Sequence, residues 1–221
     1  MSGDLDPRLR DQLARGLAQL GLAATSAQED ALLRYVALLG RWSAVYNLTA
    51  VRDPEAMMTH HILDCLAAVS PLRRQLALHP HRALIDVGSG AGLPGVVLAL
   101  MTPDLRVICV DSVGKKVAFI QQVIADLTLK NVEAVHQRVE ALREKATVVA
   151  SRAYASLDKL VTTTPHLLAE GGVWMAMKGK RPDQELAALG TRVDVFHVEP
   201  LAVPGLPEDR CLIWMRPAAG R

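Results

Sequence analysis

At 221 residues and 50% hydrophobic content, the chain fits one domain with an added element and has ample apolar material for a core. Its formal net charge of +2 comes from nearly matched cations and acids, which does not announce a nucleic-acid binder, so an anionic partner has to be argued locally. No basic-then-apolar leader opens the sequence and no uncharged stretch approaches the roughly 18 residues of a membrane span, so a soluble cytoplasmic protein with no membrane contact is expected.

The first third reads as helical. Leu5, Leu9, Leu13, Leu17 and Leu20 recur at helical spacing, and Leu32, Leu33, Val36, Leu39 and Val45 do so again, predicting two amphipathic helices. Ser26 with Glu29 forms a capping box for the second. Asp53 followed by Pro54 supplies an N-cap and an N1 proline for a third helix, running to about residue 69. "YNLTAV", from Tyr46 to Val51, is a non-helical connector between them.

From residue 83 the texture changes to short apolar runs separated by helical segments, the pattern of βα units and a parallel sheet. The runs are "ALIDV", "RVICVD", "VEAVH" and "TVVASR", with helices predicted over Leu93–Met101, Val113–Leu127 and Ser156–Leu168. "GGVWMAMKG", "VDVFHV" and "RCLIWMR" follow with Gly and Pro turns typical of antiparallel pairing. Cys65, Cys109 and Cys211 lack any Cys-x-x-Cys spacing, so they read as reduced core thiols, neither a disulfide framework nor a zinc site.

"DVGSGAGLPG", Asp86 to Gly95, opens the candidate site. A P-loop needs a Lys after the last glycine, and Val96 stands there instead. The dinucleotide pattern G-x-G-x-x-G fits Gly90, Gly92 and Gly95, although the strand ends earlier, near Val87; it remains the runner-up. The other reading starts at Gly88 as G-x-G-x-G, with Asp86 at the strand end as a carboxylate for a cationic amine and glycines admitting an adenosyl ligand close to the backbone. S-adenosylmethionine (AdoMet) carries such an amine and no phosphate. Asp111 ends the next strand, where its carboxylate can accept from both ribose hydroxyls, though the acid alone would also suit NAD. "QRVE", Gln137 to Glu140, follows the third strand, where an adenine would be capped, and favours the AdoMet reading.

"YNLTA", "HHILDCL" (His60 to Leu66), "DVGSGAGLPG", "DSVGKKVAFI" (Asp111 to Ile120), "RVE" and "SRAYASL" (Ser151 to Leu157), in order between about Leu33 and Gly179, resemble the signatures of the RsmG family, also called glucose-inhibited division protein B. Two positions differ from its usual pattern, Cys65 where Ser is common and Leu93 where Phe is common. The resemblance implies a Rossmann-like class I AdoMet-dependent methyltransferase, with a mainly parallel seven-stranded sheet ending in an antiparallel pair. It would occupy residues 75–221, behind a helical N-terminal extension over 1–74. The implied reaction is methylation of guanine N7 at position 527, in the 530 loop of bacterial 16S rRNA, leaving S-adenosylhomocysteine. The resemblance sets the methionine part of AdoMet against Gly88 and Leu93 and the ribose on Asp111, with Gly90 and Gly92 in the same loop. Adenine would lie near Val139 and Glu140, and Arg152 would face both cofactor and substrate as the catalytic, base-positioning arginine.

Guanine N7 already presents an in-plane lone pair, so no general base is needed and catalysis is expected to be proximity and orientation. His60 with Asp64 has metal-ligand spacing but no third ligand, so no metal is expected. Cations for RNA phosphates are Lys115, Lys116, Arg152, Lys178, Lys180 and Arg181; Asn47 and Thr49 either contact substrate or satisfy the connector, and Tyr154 either stacks on a base or packs in the core. The expected partner is 16S rRNA, a 30S assembly intermediate or the 30S subunit, met by a monomer. An NAD-dependent oxidoreductase and a non-catalytic AdoMet-binding ribosome-assembly factor are the rival functions.

Overall fold

The computed structural model describes residues 6–218, so Leu5 of the first predicted helix lies outside the described residues. Helix α1, Pro7–Gln19, starts where the Asp6 side chain accepts the Arg8 backbone N–H at 2.9 Å, with Pro7 preset for the first turn. It buries Leu9, Leu13 and Leu17, one face at i, i+4 spacing. Helix α2, Ser26–Tyr46, has its capping box one residue earlier than the sequence suggested: Thr25 is the extended cap and Gln28 reaches back to it. Two overlapping Ser/Thr-x-x-Glu/Gln pairs compete there, and the one ending in Gln28 also ties its amide to the Leu100 carbonyl at 2.8 Å.

Asp53 caps the third helical stretch, accepting the Ala56 N–H at 2.7 Å, but the stretch is not one helix. It runs as α3 (Pro54–Met57), a π-helical segment over Met58–Leu63 and α4 (Asp64–Leu66), and α5 (Val69–Leu76) follows. Helical structure therefore continues past the expected stop near 69, and residue 74 lies inside α5.

Strands β1 (Ala83–Val87), β2 (Arg106–Asp111), β3 (Val132–His136), β4 (Ala146–Arg152) and β5 (Leu168–Lys178) alternate with α6 (Gly95–Met101), α7 (Gly114–Leu127) and α8 (Leu157–Thr163). Helix α8 is shorter than predicted because Pro165 follows it and opens a separate 3-10 turn over Pro165–Leu167. After β5 come α9 (Asp183–Leu189), β6 (Val193–Pro200) and β7 (Cys211–Pro217). The seven strands lie in the order β3-β2-β1-β4-β5-β7-β6, parallel through β5 and antiparallel where β7 pairs with β5 and β6.

Side chains alternate across this sheet with the period of two that strands impose. Leu84, Val107, Val148 and Met175 face the layer formed by α1, α2, α6 and α7, while Ile85, Ile108, Val149 and Trp174 face α8 and α9. The first of these clusters extends from Leu9 to Trp214, so the N-terminal helices and one face of the sheet share a core. All three cysteines are buried and free. Among the described residues no helix is long and apolar enough to cross a membrane.

Candidate functional site

Because the strands from β1 to β5 run parallel, Val87, Asp111, Arg152 and Lys178 end at one edge of the sheet. The antiparallel β7 starts at that same edge, with Cys211 opposite Lys178. Just after β1 the backbone takes positive φ at Gly88 (64°), Gly90 (59°) and Gly92 (82°). A Cβ on Gly88 would run into the Tyr154 ring, and one on Gly92 would lie 2.7 Å from Val96 Cγ2. Both positions are thus closed to side chains by conformation and by crowding.

Asp111 ties this loop to the next. Its Oδ2 accepts the Gly90 N–H at 2.9 Å and its Oδ1 accepts the Val113 N–H at 2.9 Å, while Lys116 Nζ stands 3.8 Å from Oδ2. Asp86 has a different surrounding. Strand parity turns it to the side of Leu84, under α6, where it is fully buried and accepts the Gly95 N–H at 2.9 Å. Its other oxygen is buried with no partner, and burial pushes its carboxyl up to about 6. Leu93 is likewise buried in the core beside α6.

Two cavities open at the edge. One, of about 280 Å³, is lined by Gly88, Asp111, Lys116, Val139, Glu140 and Tyr154, among others. The second, of about 500 Å³, has His60, His61, Asp64, Arg152, Lys178 and Arg210 in its wall. Ala153, at φ 56°, lines both.

The second cavity is organised by one buried carboxylate. Arg152 Nη1 donates to Asp64 Oδ2 at 2.9 Å and to the His60 carbonyl at 3.1 Å, and Arg210 Nε donates to Asp64 Oδ1 at 3.1 Å. Two guanidiniums on one carboxylate leave a net positive charge and unused N–H groups on each fork. His61 Nε2 lies 2.7 Å from Thr49 Oγ1, and burial, aided by the Arg152 cation, holds its imidazole down to about 4, so it is neutral at pH 7.

The other expected contacts are spread around this edge. Lys178 Nζ donates to the Ala155 carbonyl at 3.1 Å and to Glu185 at 3.0 and 3.1 Å, bracing the segment that carries Tyr154. Lys180 and Arg181 are exposed, and Arg181 pairs with Asp183 at 2.8 Å. Lys115 is exposed and outside the lining of both cavities, whereas its neighbour Lys116 is in the first. Asn47 is the left-handed cap of α2 and accepts from Arg52; Thr49 also accepts the Val51 N–H at 3.2 Å.

Residues 28–213 match the model of the family described as rRNA small subunit methyltransferase G. The chain belongs to that family. The ribosomal RNA small subunit methyltransferase G of Acidovorax ebreus (strain TPSY) is 51% identical over 218 residues, covering 96% of each chain. Its counterpart from Polaromonas sp. (strain JS666) is 54% identical over 207 residues, covering 92% of each. Among solved structures, a SAM dependent methyltransferase from Aquifex aeolicus superposes with a TM-score of 0.52 at 16% identity, over 74% of this chain and 98% of that one. At that identity the likeness concerns the fold, which is the class I methyltransferase architecture.

For this member of the methyltransferase G family, Arg210, the double pairing of Asp64 and Lys159 in the wall of the first cavity were not among the residues expected from the sequence, whereas Arg138 in the same wall lies within "QRVE". Arg210 did carry a signal. It precedes a strand predicted antiparallel, and the start of an antiparallel strand lies beside the carboxyl ends of its parallel neighbours.

Proposed function

We propose that this member of the rRNA small subunit methyltransferase G family transfers the methyl group of AdoMet to N7 of one guanine in the 530 loop of 16S rRNA. The observation that carries the reading is the pair of cavities meeting at Ala153, one floored by the glycine loop and Asp111, the other walled by Arg152 and Arg210. AdoMet when bound supplies an electrophilic methyl on a cationic sulfur. The residues fit it: Asp111 keeps lone pairs for two hydroxyls beyond its bonds to Gly90 and Val113, and Val139 offers an apolar contact beside exposed Glu140.

Since guanine N7 needs no deprotonation, this chain's task is orientation. Arg152, with Asp64 fixing its fork, is suited to holding the base, and neutral His61 supports that wall through Thr49. Lys115, Lys180 and Arg181 are proposed to hold RNA phosphates, with Lys178 keeping the 153–156 segment beside them through Glu185. Asn47 and Thr49 shape the connector at the mouth. Among the described residues, the helices before β1 are proposed to act as the extension expected over 1–74, with α5 running on to Leu76, against a methyltransferase body that works as a monomer on rRNA.

The test is incubation of 16S rRNA and 30S subunits with tritiated AdoMet, followed by mass mapping. One labelled guanine in the 530 loop is the expected product. Binding to 30S with no transferred label would make the protein a non-catalytic assembly factor, and calorimetric binding of NAD in place of AdoMet would return the glycine loop to the oxidoreductase reading.

Asp111→Ala is expected to weaken AdoMet about 10- to 150-fold by calorimetry, since hydrogen bonds to a charged acceptor contribute about 1.5–3 kcal/mol. An unchanged affinity in the folded variant would move the ribose elsewhere. Arg152→Ala should lower the single-turnover rate even at saturating RNA, whereas Lys180→Ala and Arg181→Ala should flatten the log–log salt dependence by about 0.7–0.9 per contact and spare that rate. An Arg152→Ala variant altered only in salt-sensitive affinity would reduce Arg152 to another phosphate contact.

A further inference from the structure

The last turns of α2 carry a surface that methyl transfer leaves unused. Positions 34, 38, 41, 42, 45 and 46 fall on one side of the helix. Val45 is 70% and Tyr46 44% exposed, although both are apolar-bodied and lie beside a cavity of about 320 Å³. Behind Tyr46 its ring neighbour Trp42 sits with centroids 5.1 Å apart, and Trp42 in turn packs on buried Phe119 at 5.5 Å. The outer aromatic is therefore held by a rigid inner one. Arg34 and Arg41 on the same side are exposed and form no ion pair among the described residues. The nearest acid in the cavity wall, Asp126, is engaged by Gln122 at 2.7 Å.

We infer that this face is a second RNA-contact site, where an unpaired base stacks on Tyr46, an adjoining phosphate meets Arg41 and a phosphate farther along the strand meets Arg34, about 18 Å up the helix from Tyr46. The inference rests on the rRNA reading of the cavities and deepens it. A rigid exposed ring flanked by unpaired cations is the combination that single-stranded nucleic acid requires, a stacking platform and neutralising charge. Two exposed apolar side chains are too few for a stable protein interface, which needs about 1,000 Å² or more. A second copy would also bring unpaired arginines together. The face lies near the cation-lined cavity: four residues separate Tyr46 from Val51 in that cavity's wall, five steps of at most about 18 Å of chain, and Arg52 folds back onto the Ser43 carbonyl and Asn47. RNA lying at Arg152 can thus reach α2.

The experiment measures equilibrium binding of 30S subunits, methyl transfer and AdoMet affinity for Tyr46→Ala, Tyr46→Phe and Arg41→Ala. Tyr46→Ala should weaken 30S binding about 5- to 100-fold, Tyr46→Phe should restore it because the ring remains, and Arg41→Ala should flatten the salt dependence by about 0.7–0.9 in log–log slope. AdoMet affinity should stay unchanged in all three. Ultraviolet cross-linking of the wild-type complex should join a nucleotide to the peptide containing Tyr46. Normal 30S affinity in Tyr46→Ala, a cross-link to a ribosomal protein, or a dimer lost with Tyr46 in sedimentation would each overturn the inference. Methyl transfer with no Tyr46 dependence sinks the second contact alone, while Tyr46-dependent RNA binding with no methyl transfer sinks the enzymatic reading alone.

Discussion

Asp64→Ala should destabilise the protein by about 3–5 kcal/mol, because it leaves two half-buried guanidiniums facing each other with no counter-charge. Urea denaturation at neutral pH measures this directly. Arg210→Met in the same chain should recover much of the loss, since it removes one of the two stranded cations, and Arg210→Met alone should cost less because Asp64 keeps Arg152. Where Asp64→Ala remains folded, its single-turnover methyl transfer should fall, as Arg152 loses the partner that aims it. A loss of stability under 1 kcal/mol would mean that water screens the arginines and that the carboxylate is not what organises the cavity.

The second large effect concerns pH. Asp86, pushed up to about 6 by burial, keeps its proton in the folded chain when the unfolded chain has already released it, so its contribution is full below about 4 and lost as pH rises through 6. His61, held down to about 4, has the opposite sign: its contribution is full above about 6.5 and lost as pH falls through 4. Shifts of this size are each equivalent to about 3 kcal/mol, and they oppose one another across the same window. Asp86→Asn should therefore raise stability at pH 7.5 by up to about 3 kcal/mol relative to wild type and by little at pH 4. It should also expose the His61 slope. Urea midpoints at pH 4.5, 6 and 7.5 that move in parallel for wild type and variant would show that Asp86 ionises freely in the fold.

The sheet was readable because each central strand is a short apolar run buried on both faces and bounded by polar turns. β1 and β2, inside the sheet, have the boundaries that "ALIDV" and "RVICVD" suggest, and the edge strand β3, buried only at Val132, still matches "VEAVH". What the sequence could not show was where helical phase or long-range pairing decides. The π-helical segment over Met58–Leu63 keeps an ordinary helical composition, so nothing local marks it. Lys115 and Lys116 look equivalent in sequence, yet one position is 100° of helix rotation and puts only the second on the cavity. Asp64 meets Arg210 across 146 positions, a separation at which no periodicity carries information. Asp86 was recognised as a strand-end acid, but its turn toward Gly95 follows from strand parity relative to α6, a tertiary placement.

Tyr35, fully buried in α2, donates its hydroxyl to the carbonyl of Ala91 in the middle of the glycine loop, and the same ring stacks on Phe119 of α7 at 6.3 Å. The loop is thus fastened from behind by a helix that belongs to the N-terminal third of the chain. Ligand affinity at the carboxyl edge of the sheet and anchoring of α2 against its face become coupled: a substitution that loosens α2 loosens the loop, and a ligand that tightens the loop returns stability to a helix it never touches.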